Sequence, residues 1–302
     1  MSPMQVAVLQ TIVSGALLGT LFGTIALGVT VKWGLLGIAD FFHVSLTLFG
    51  AYVTYSLVSV AGLHPLATLL VTVPSFFLLG MALQWIFVRL EVKLFTSLLV
   101  TFGLFVVAES VITLLWSADT LTLRPVLPEW LTAPVALPWP LQQVRVLPPD
   151  LLALVAAIVL IGTTTWALRA TRLGRGLHAM HQDPGIAEVF GVRLTRTAVL
   201  VAGFAAGTAA VAGMVVALKM PLSPHLPLHW LGVVVVSSLL GGLGRPLGAL
   251  IAAVFLMIVQ NLWALFYSPS WAPVIAFSFL LLYLVLQPLL TGRGLRSLGG
   301  AA

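Results

Sequence analysis

Residues 169–196 read RATRLGRGLHAMHQDPGIAEVFGVRLTR. Five arginines stand in this stretch, Arg169, Arg172, Arg175, Arg193 and Arg196, and a long apolar run flanks it on each side. An arginine at the centre of a bilayer costs about 2.5–3.5 kcal/mol on insertion scales. The stretch therefore cannot lie in hydrocarbon, and it reads as a loop. The positive-inside rule puts that loop in the cytoplasm. The apolar runs on either side then read as membrane spans, and the fold class as an all-α polytopic membrane protein.

Composition agrees. The chain has 302 residues, of which 60% are hydrophobic and 7% charged, whereas a soluble domain is about 25% charged. The net charge of +6 comes from basic residues beside apolar runs. Orientation and anionic headgroups account for such placement, and no nucleic acid is implied. Without cysteine there is no disulfide, thiolate metal site or cysteine nucleophile. Residues 1–10 lack a basic region, so the first apolar run is expected to stay as a span. The chain has no GxxxxGK[ST], HExxH or GxSxG motif. No catalytic residue, metal ligand or cofactor is assigned, and phosphate-loop ATP binding is excluded.

A span takes about 20 apolar residues. Candidates are residues 6–30, 44–63, 64–88, 94–116, 151–168, 197–218, 247–267 and 271–290, with a polar interruption at Lys32 and 40–43. Residues 230–243 are apolar but short for a crossing. Counting that segment gives nine crossings, with an outside N-terminus and with Arg89, Lys93, the arginine loop, Arg245, Arg293 and Arg296 inside. Eight or ten follow if short segments are re-entrant. Residues 117–149 carry seven prolines with Trp130 and Trp139. Proline at that density prevents a spanning helix, so this reads as an extracytoplasmic, interfacial linker in a single transmembrane domain covering 1–302.

Residues 14–20 (SGALLGT) echo 202–208 (AGFAAGT). Five crossings separate them, so they would run in opposite directions, as in an inverted-topology repeat. The plainer reading, small residues four apart packing helices closely, is preferred.

Three groups of residues invite a functional reading. Asp40, Phe41, Phe42 and His43 interrupt the apolar pattern, and ionisable groups in a membrane domain point to a pathway or a buried partner. An ordinary cytoplasmic turn, with Lys32 and Asp40 in water, fits equally. Glu109 is the acid deepest in an apolar run, either protonated among packed helices or facing a central cavity. Gln260 and Asn261 are weaker candidates of the same kind, and Gln84 reads as interfacial. Gly241, Gly242, Gly244 and Pro246 read as a helix break between two membrane segments. Within the arginine loop, Asp183 reads as a helix cap, Pro184 as a first-turn residue and Gly191 as a stop. The short helix between them would put Ile186, Val189 and Phe190 on one apolar face, to lie on the membrane or dock in a partner's groove.

These blocks resemble a known family. Residues 28–43 (GVTVKWGLLGIADFFH) with 48–52 (LFGAY), 172–176 (RLGRG) with Gln182, Asp183, Pro184, Ala187, Gly191 and Val192, and 240–244 (LGGLG) with 246–249 (PLGA) look like the permease subunits of bacterial ABC importers for branched-chain amino acids. That group includes urea and short-amide permeases. The resemblance runs through nearly the whole chain. It implies an inner-membrane permease subunit for a small polar solute, with branched-chain amino acids first and urea or short amides as the alternative. It also implies ATP-binding subunits docking on Arg172, Gly174, Asp183, Pro184, Ala187, Glu188 and Gly191. A second permease subunit (a paralogue or the same chain) and an extracytoplasmic solute-binding protein would complete the assembly. The chain departs from the family pattern at Asp40, Phe42 and Val44, where Asn, Ala and Gly are usual, and at Arg245. A reading of a different class, an ion-coupled secondary transporter, would use Asp40, His43 and Glu109 as ion or proton carriers, and a membrane-embedded enzyme ranks last.

Overall fold

The computed structural model describes residues 2–136 and 144–290. Pro138, Trp139, Pro140, Arg293 and Arg296 lie outside the described residues. The elements in order are α1 (Pro3–Leu36), α2 (Phe42–Ser59), a 3-10 turn (Pro65–Thr68), α3 (Leu69–Arg89), α4 (Leu94–Trp116), α5 (Glu129–Thr132), β1 (Val135–Ala136), β2 (Arg145–Val146), α6 (Pro148–Ala170), α7 (Arg172–Gln182), α8 (Pro184–Val189), α9 (Leu194–Lys219), α10 (Leu226–Leu240), α11 (Pro246–Phe266), a 3-10 turn (Pro269–Trp271) and α12 (Ala272–Leu290). Among the described residues six helices are long and apolar enough to cross a membrane, namely α1, α3 with its leading turn, α4, α6, α9 and α11; α10 and the span Ala272–Leu286 are shorter and apolar. The protein is an all-α polytopic membrane protein.

α1 and α9 run through the interior, with α2 largely buried beside them. In α1 and α9, 72% and 83% of the most apolar window is buried, against 22% in α3, α4 and α6. The outer helices therefore turn most of their apolar surface outward, as lipid-facing helices do. Glycine makes the close centre possible. A Cβ on Gly19 would lie 2.4 Å from the Val254 Cα of α11, and one on Gly213 would lie 2.5 Å from the Thr47 carbonyl oxygen of α2. Without a hydrophobic drive between helices in lipid, such backbone approach is what holds them.

The packing has an internal exchange pattern. α1 lies along α11, and α9 lies along α3; α2 packs on α9, and α10 on α1; α4 packs on α2, and α12 on α10. Exchanging α1–α4 with α9–α12 maps each of these contacts onto another, although the contact of α11 with α12 has no such equivalent between α3 and α4. The short repeat falls on equivalent places: Gly15 and Gly19 face α11, and Gly203 and Gly207 face α3. Thr20 and Thr208 both turn their hydroxyls onto the carbonyl three residues back, at 2.7 Å.

The structure departs from the sequence reading at three places. α1 does not stop near residue 30 but runs to Leu36 with Lys32 buried inside it, because Lys32 has an acidic partner. The arginine stretch is not a loop around one short helix: α7 covers most of its first half. Gln84 is buried and lines a cavity at the arginine end, beside Glu91. Residues 117–149 are not simply a linker. Leu123, Leu127 and Leu131 enter the main core, Leu121 and Leu222 exchange backbone hydrogen bonds at 3.0 and 2.7 Å, and β1 pairs antiparallel with β2. Proline density did not prevent burial of Leu123, just before Pro125, or of Leu127 and Leu131 between the prolines.

Candidate functional site

Three features meet at one end of the bundle, the end that carries the arginine stretch 169–196. The first is the link from α1 to α2. Gly37 closes α1 in the left-handed conformation at φ +66°, where a side chain would be strained. The chain then returns so that Asp40 forms an ion pair with Lys32 of α1, and both side chains are almost fully buried. The other oxygen of Asp40 accepts the His43 amide at 3.2 Å. Thr101 of α4 anchors the turn, donating to the Ala39 carbonyl at 3.0 Å and accepting the Phe41 amide at 3.3 Å. Phe41 and Phe42 are half-buried, and Phe41 stands edge-on to Trp33. A buried pair of this kind is held mainly by geometry, since desolvation offsets much of its attraction.

His43 is fully buried, and neither ring nitrogen has a hydrogen-bond partner among the described residues. Its ring occupies the place of a side chain on Gly28, whose Cβ would lie 2.1 Å from the His43 Cε1. Only glycine at position 28 leaves room for the ring. Glu109 is not part of this cluster. It sits eight residues beyond Thr101 on α4, about 12 Å along the axis, and meets Nδ1 of the exposed His225 at 2.5 Å. The structure brings together Asp40, Phe41, Phe42 and His43 and leaves Glu109 near the opposite end.

The second feature is the pair α7–α8. Thr171 caps α7 by accepting the Gly174 amide at 3.1 Å. Gly174 lies so close to α6 that a Cβ there would be 2.3 Å from the Leu168 carbonyl oxygen. Asp183 caps α8 by accepting the Ile186 amide at 3.0 Å, Pro184 opens the helix, and Gly191 turns the chain at φ +83°. Ala187 is buried, whereas Ile186, Val189 and Phe190 are 57%, 85% and 83% exposed. Arg172 and Glu188 are exposed. Between this pair and the α1–α2 link lies a cavity of about 550 Å³, with Leu35, Gly37 and Ile38 on one wall and Glu91, His181 and Glu188 on others.

The third feature is the glycine turn. α10 ends at Leu240 and α11 begins at Pro246. Gly242 and Gly244 have φ of +87° and +77°. The Gly244 amide donates to the Thr30 carbonyl of α1 at 3.0 Å, and a Cβ on Gly34 would be 1.9 Å from the Gly244 nitrogen. The turn between the two helices is thus clamped on α1, two residues from Lys32.

Comparison with known proteins gives this geometry its frame. Residues 11–286 match the model of the family described as "Branched-chain amino acid transport system / permease component". The chain belongs to that family. Within the branched-chain amino acid permease family it is similar to the "High-affinity branched-chain amino acid transport system permease protein LivH" of Salmonella typhimurium, 22% identical over 295 residues, covering 93% of this chain and 94% of the relative. The LivH protein of Escherichia coli is 23% identical over 303 residues with the same coverage. The "Autoinducer 2 import system permease protein LsrC" of Klebsiella pneumoniae is 34% identical over 125 residues, 39% of this chain and 36% of the relative. No solved structure matches. The family is one of transport permease components, so the chain is a permease subunit of an ABC importer.

Two features escaped the sequence reading. The Lys32–Asp40 pairing had a weak signal, opposite charges eight residues apart around a glycine. α7 had a stronger one: Leu173, Leu177 and Met180 recur at helical spacing.

Proposed function

We propose that the chain is the membrane-spanning subunit of an ATP-driven importer in a bacterial inner membrane, and that α7–α8 is where the motor acts. The carrying observation is the exposed triad Ile186, Val189 and Phe190 beside a buried Ala187. Such a helix face fits an apolar groove on a cytoplasmic ATP-binding subunit. The close approach at Gly174 ties α7 to α6, and α7 also packs on α1 and α9 while α8 packs on α7 and α9, so a push on α8 is carried by contacts rather than by flexible chain. A second permease subunit and an extracytoplasmic solute-binding protein complete the assembly in this reading.

Branched-chain amino acids are the solute class we assign. The support is that the LivH relatives align along 93% of the chain, while the LsrC relatives align over 38% to 68% of it. The secondary-transporter reading is less well supported, because Asp40 is neutralised by Lys32 and Glu109 lies away from both. In this conformation Asp40 and His43 are closed off in the core, and we propose that they line the passage only once α8 has moved.

The test is co-purification and uptake in proteoliposomes with the ATP-binding subunits. Phe190→Asp with Val189→Asp is expected to abolish both ATPase association and uptake while the chain stays folded. Retention of both would remove α8 as the docking site. Labelling of a thiol placed at Phe190 only from outside the cell would reverse the orientation.

A further inference from the structure

A pocket of about 360 Å³ opens at the arginine end, between the end of α6, α7 and the start of α11. Its walls carry Arg169, His178 and Arg245 together with Thr165, Leu168 and Leu247. None of these cations serves the features described above. Among the described residues the carboxylates paired with basic side chains are Asp40 with Lys32, Asp150 with Lys219 and Glu109 with the His225 ring, so neither arginine has a carboxylate partner there. No acidic side chain lines the pocket.

The chain places the two guanidiniums by different means. Arg169 is the last-turn base of α6. Arg245 is set by the glycine turn: its stem lies across Gly242, where a Cβ would come 3.2 Å from the Arg245 Cδ. Between them, α11 points its first turn into the pocket through Pro246, Leu247 and Gly248. First-turn amides have no acceptor within their own helix, and the helix end carries partial positive charge. The Thr165 hydroxyl, also in the wall, is buried without a hydrogen-bond partner.

The surroundings select the source of the anion. Trp166 is 66% exposed at the same end of α6, and tryptophan there marks the membrane–water boundary. Leu247 is also exposed, and Leu168 separates this pocket from a largely apolar groove along α6 and α9 lined by Val31, Ala167, Val201 and Phe204. A charged head beside an apolar channel matches a lipid and not a free ion. We propose that Arg169, His178 and Arg245 hold the phosphate headgroup of an anionic phospholipid, with an acyl chain running along α6. This requires only that the arginine end lies at a membrane surface, and it does not depend on the ATP-driven reading.

The test uses the full chain, delipidated in detergent and titrated by native mass spectrometry with phosphatidylglycerol, phosphatidylcholine or inorganic phosphate. Each arginine at a surface contributes a roughly additive electrostatic increment, so Arg169→Gln with Arg245→Gln should weaken phosphatidylglycerol binding about 30-fold and leave phosphatidylcholine unchanged. Arg124→Gln, at the opposite end, should change nothing. Equal binding of the two lipids, or unaltered selectivity in the double variant, overturns the proposal. Saturation by inorganic phosphate without lipid selectivity would reassign the pocket to a soluble anion and overturn it too. If the double variant does not fold, a photo-crosslinker at Leu247 in the otherwise natural chain decides. It should capture a phosphatidylglycerol probe that a crosslinker at Leu114 does not, and equal capture at both positions refutes the site.

Discussion

The halves α1–α4 and α9–α12 share a packing plan but close it differently. Each leading helix carries a lysine near its end, Lys32 in α1 and Lys219 in α9, and each lysine is paired with an aspartate. In the first half the partner is Asp40, eight residues on, and the two side chains are 5% and 2% exposed. In the second the partner is Asp150 of α6, outside the repeated helices, with both side chains 14% exposed. The first pair seals a turn within its own half. The second ties its half to the helix that leads to the arginine stretch. A repeated helix plan therefore does not enforce repeated chemistry, because the polar link depends on what each loop brings alongside.

The sharpest way to break the comparison is at the lysines. Asp40→Ala leaves a buried ammonium without a partner and should cost about 3–5 kcal/mol. Asp150→Ala, where water reaches the pair, should cost about 1.5–3 kcal/mol. Unfolding of the purified chain in detergent, followed by helicity, measures both, and equal losses would mean that burial does not separate the two links. Lys32→Met with Asp40→Leu should recover most of the Asp40→Ala loss, since apolar replacement of a buried pair is often neutral.

A smaller effect separates the repeated glycines. Gly19→Ala would put a methyl 2.4 Å from the Val254 Cα and should cost about 1–3 kcal/mol by overpacking. Its counterpart Gly207 has nothing nearer than 3.7 Å. There the alanine should be neutral or stabilise by up to about 1 kcal/mol, because glycine is the poorer helix former. The same unfolding measurement checks both, and a loss at Gly207 as large as that at Gly19 would make the halves more alike than their contacts. Smallest of all is Glu109→Gln. It breaks the link between α4 and His225, which is 67% exposed, and an exposed pair contributes about 0–1 kcal/mol.

Much of this was legible along the chain. The limits of α4, the cap at Asp183, the stop at Gly191 and the glycine turn after Leu240 are local signals, and local geometry obeys them. The echo between residues 14–20 and 202–208 was legible too, although by itself it could not be told from ordinary small-residue packing. The polar linker misled because proline content reports the absence of a long helix and says nothing about whether leucines between prolines find a core.

What the sequence alone determined is that the chain is built of apolar helices fit for lipid and where the arginine stretch interrupts them, because transfer energies act residue by residue. Which aspartate meets which lysine, which glycine admits a neighbouring backbone, and which apolar face of the arginine stretch is left uncovered were decided only when the helices packed. Those are distances between residues far apart in the chain, and no local pattern encodes them.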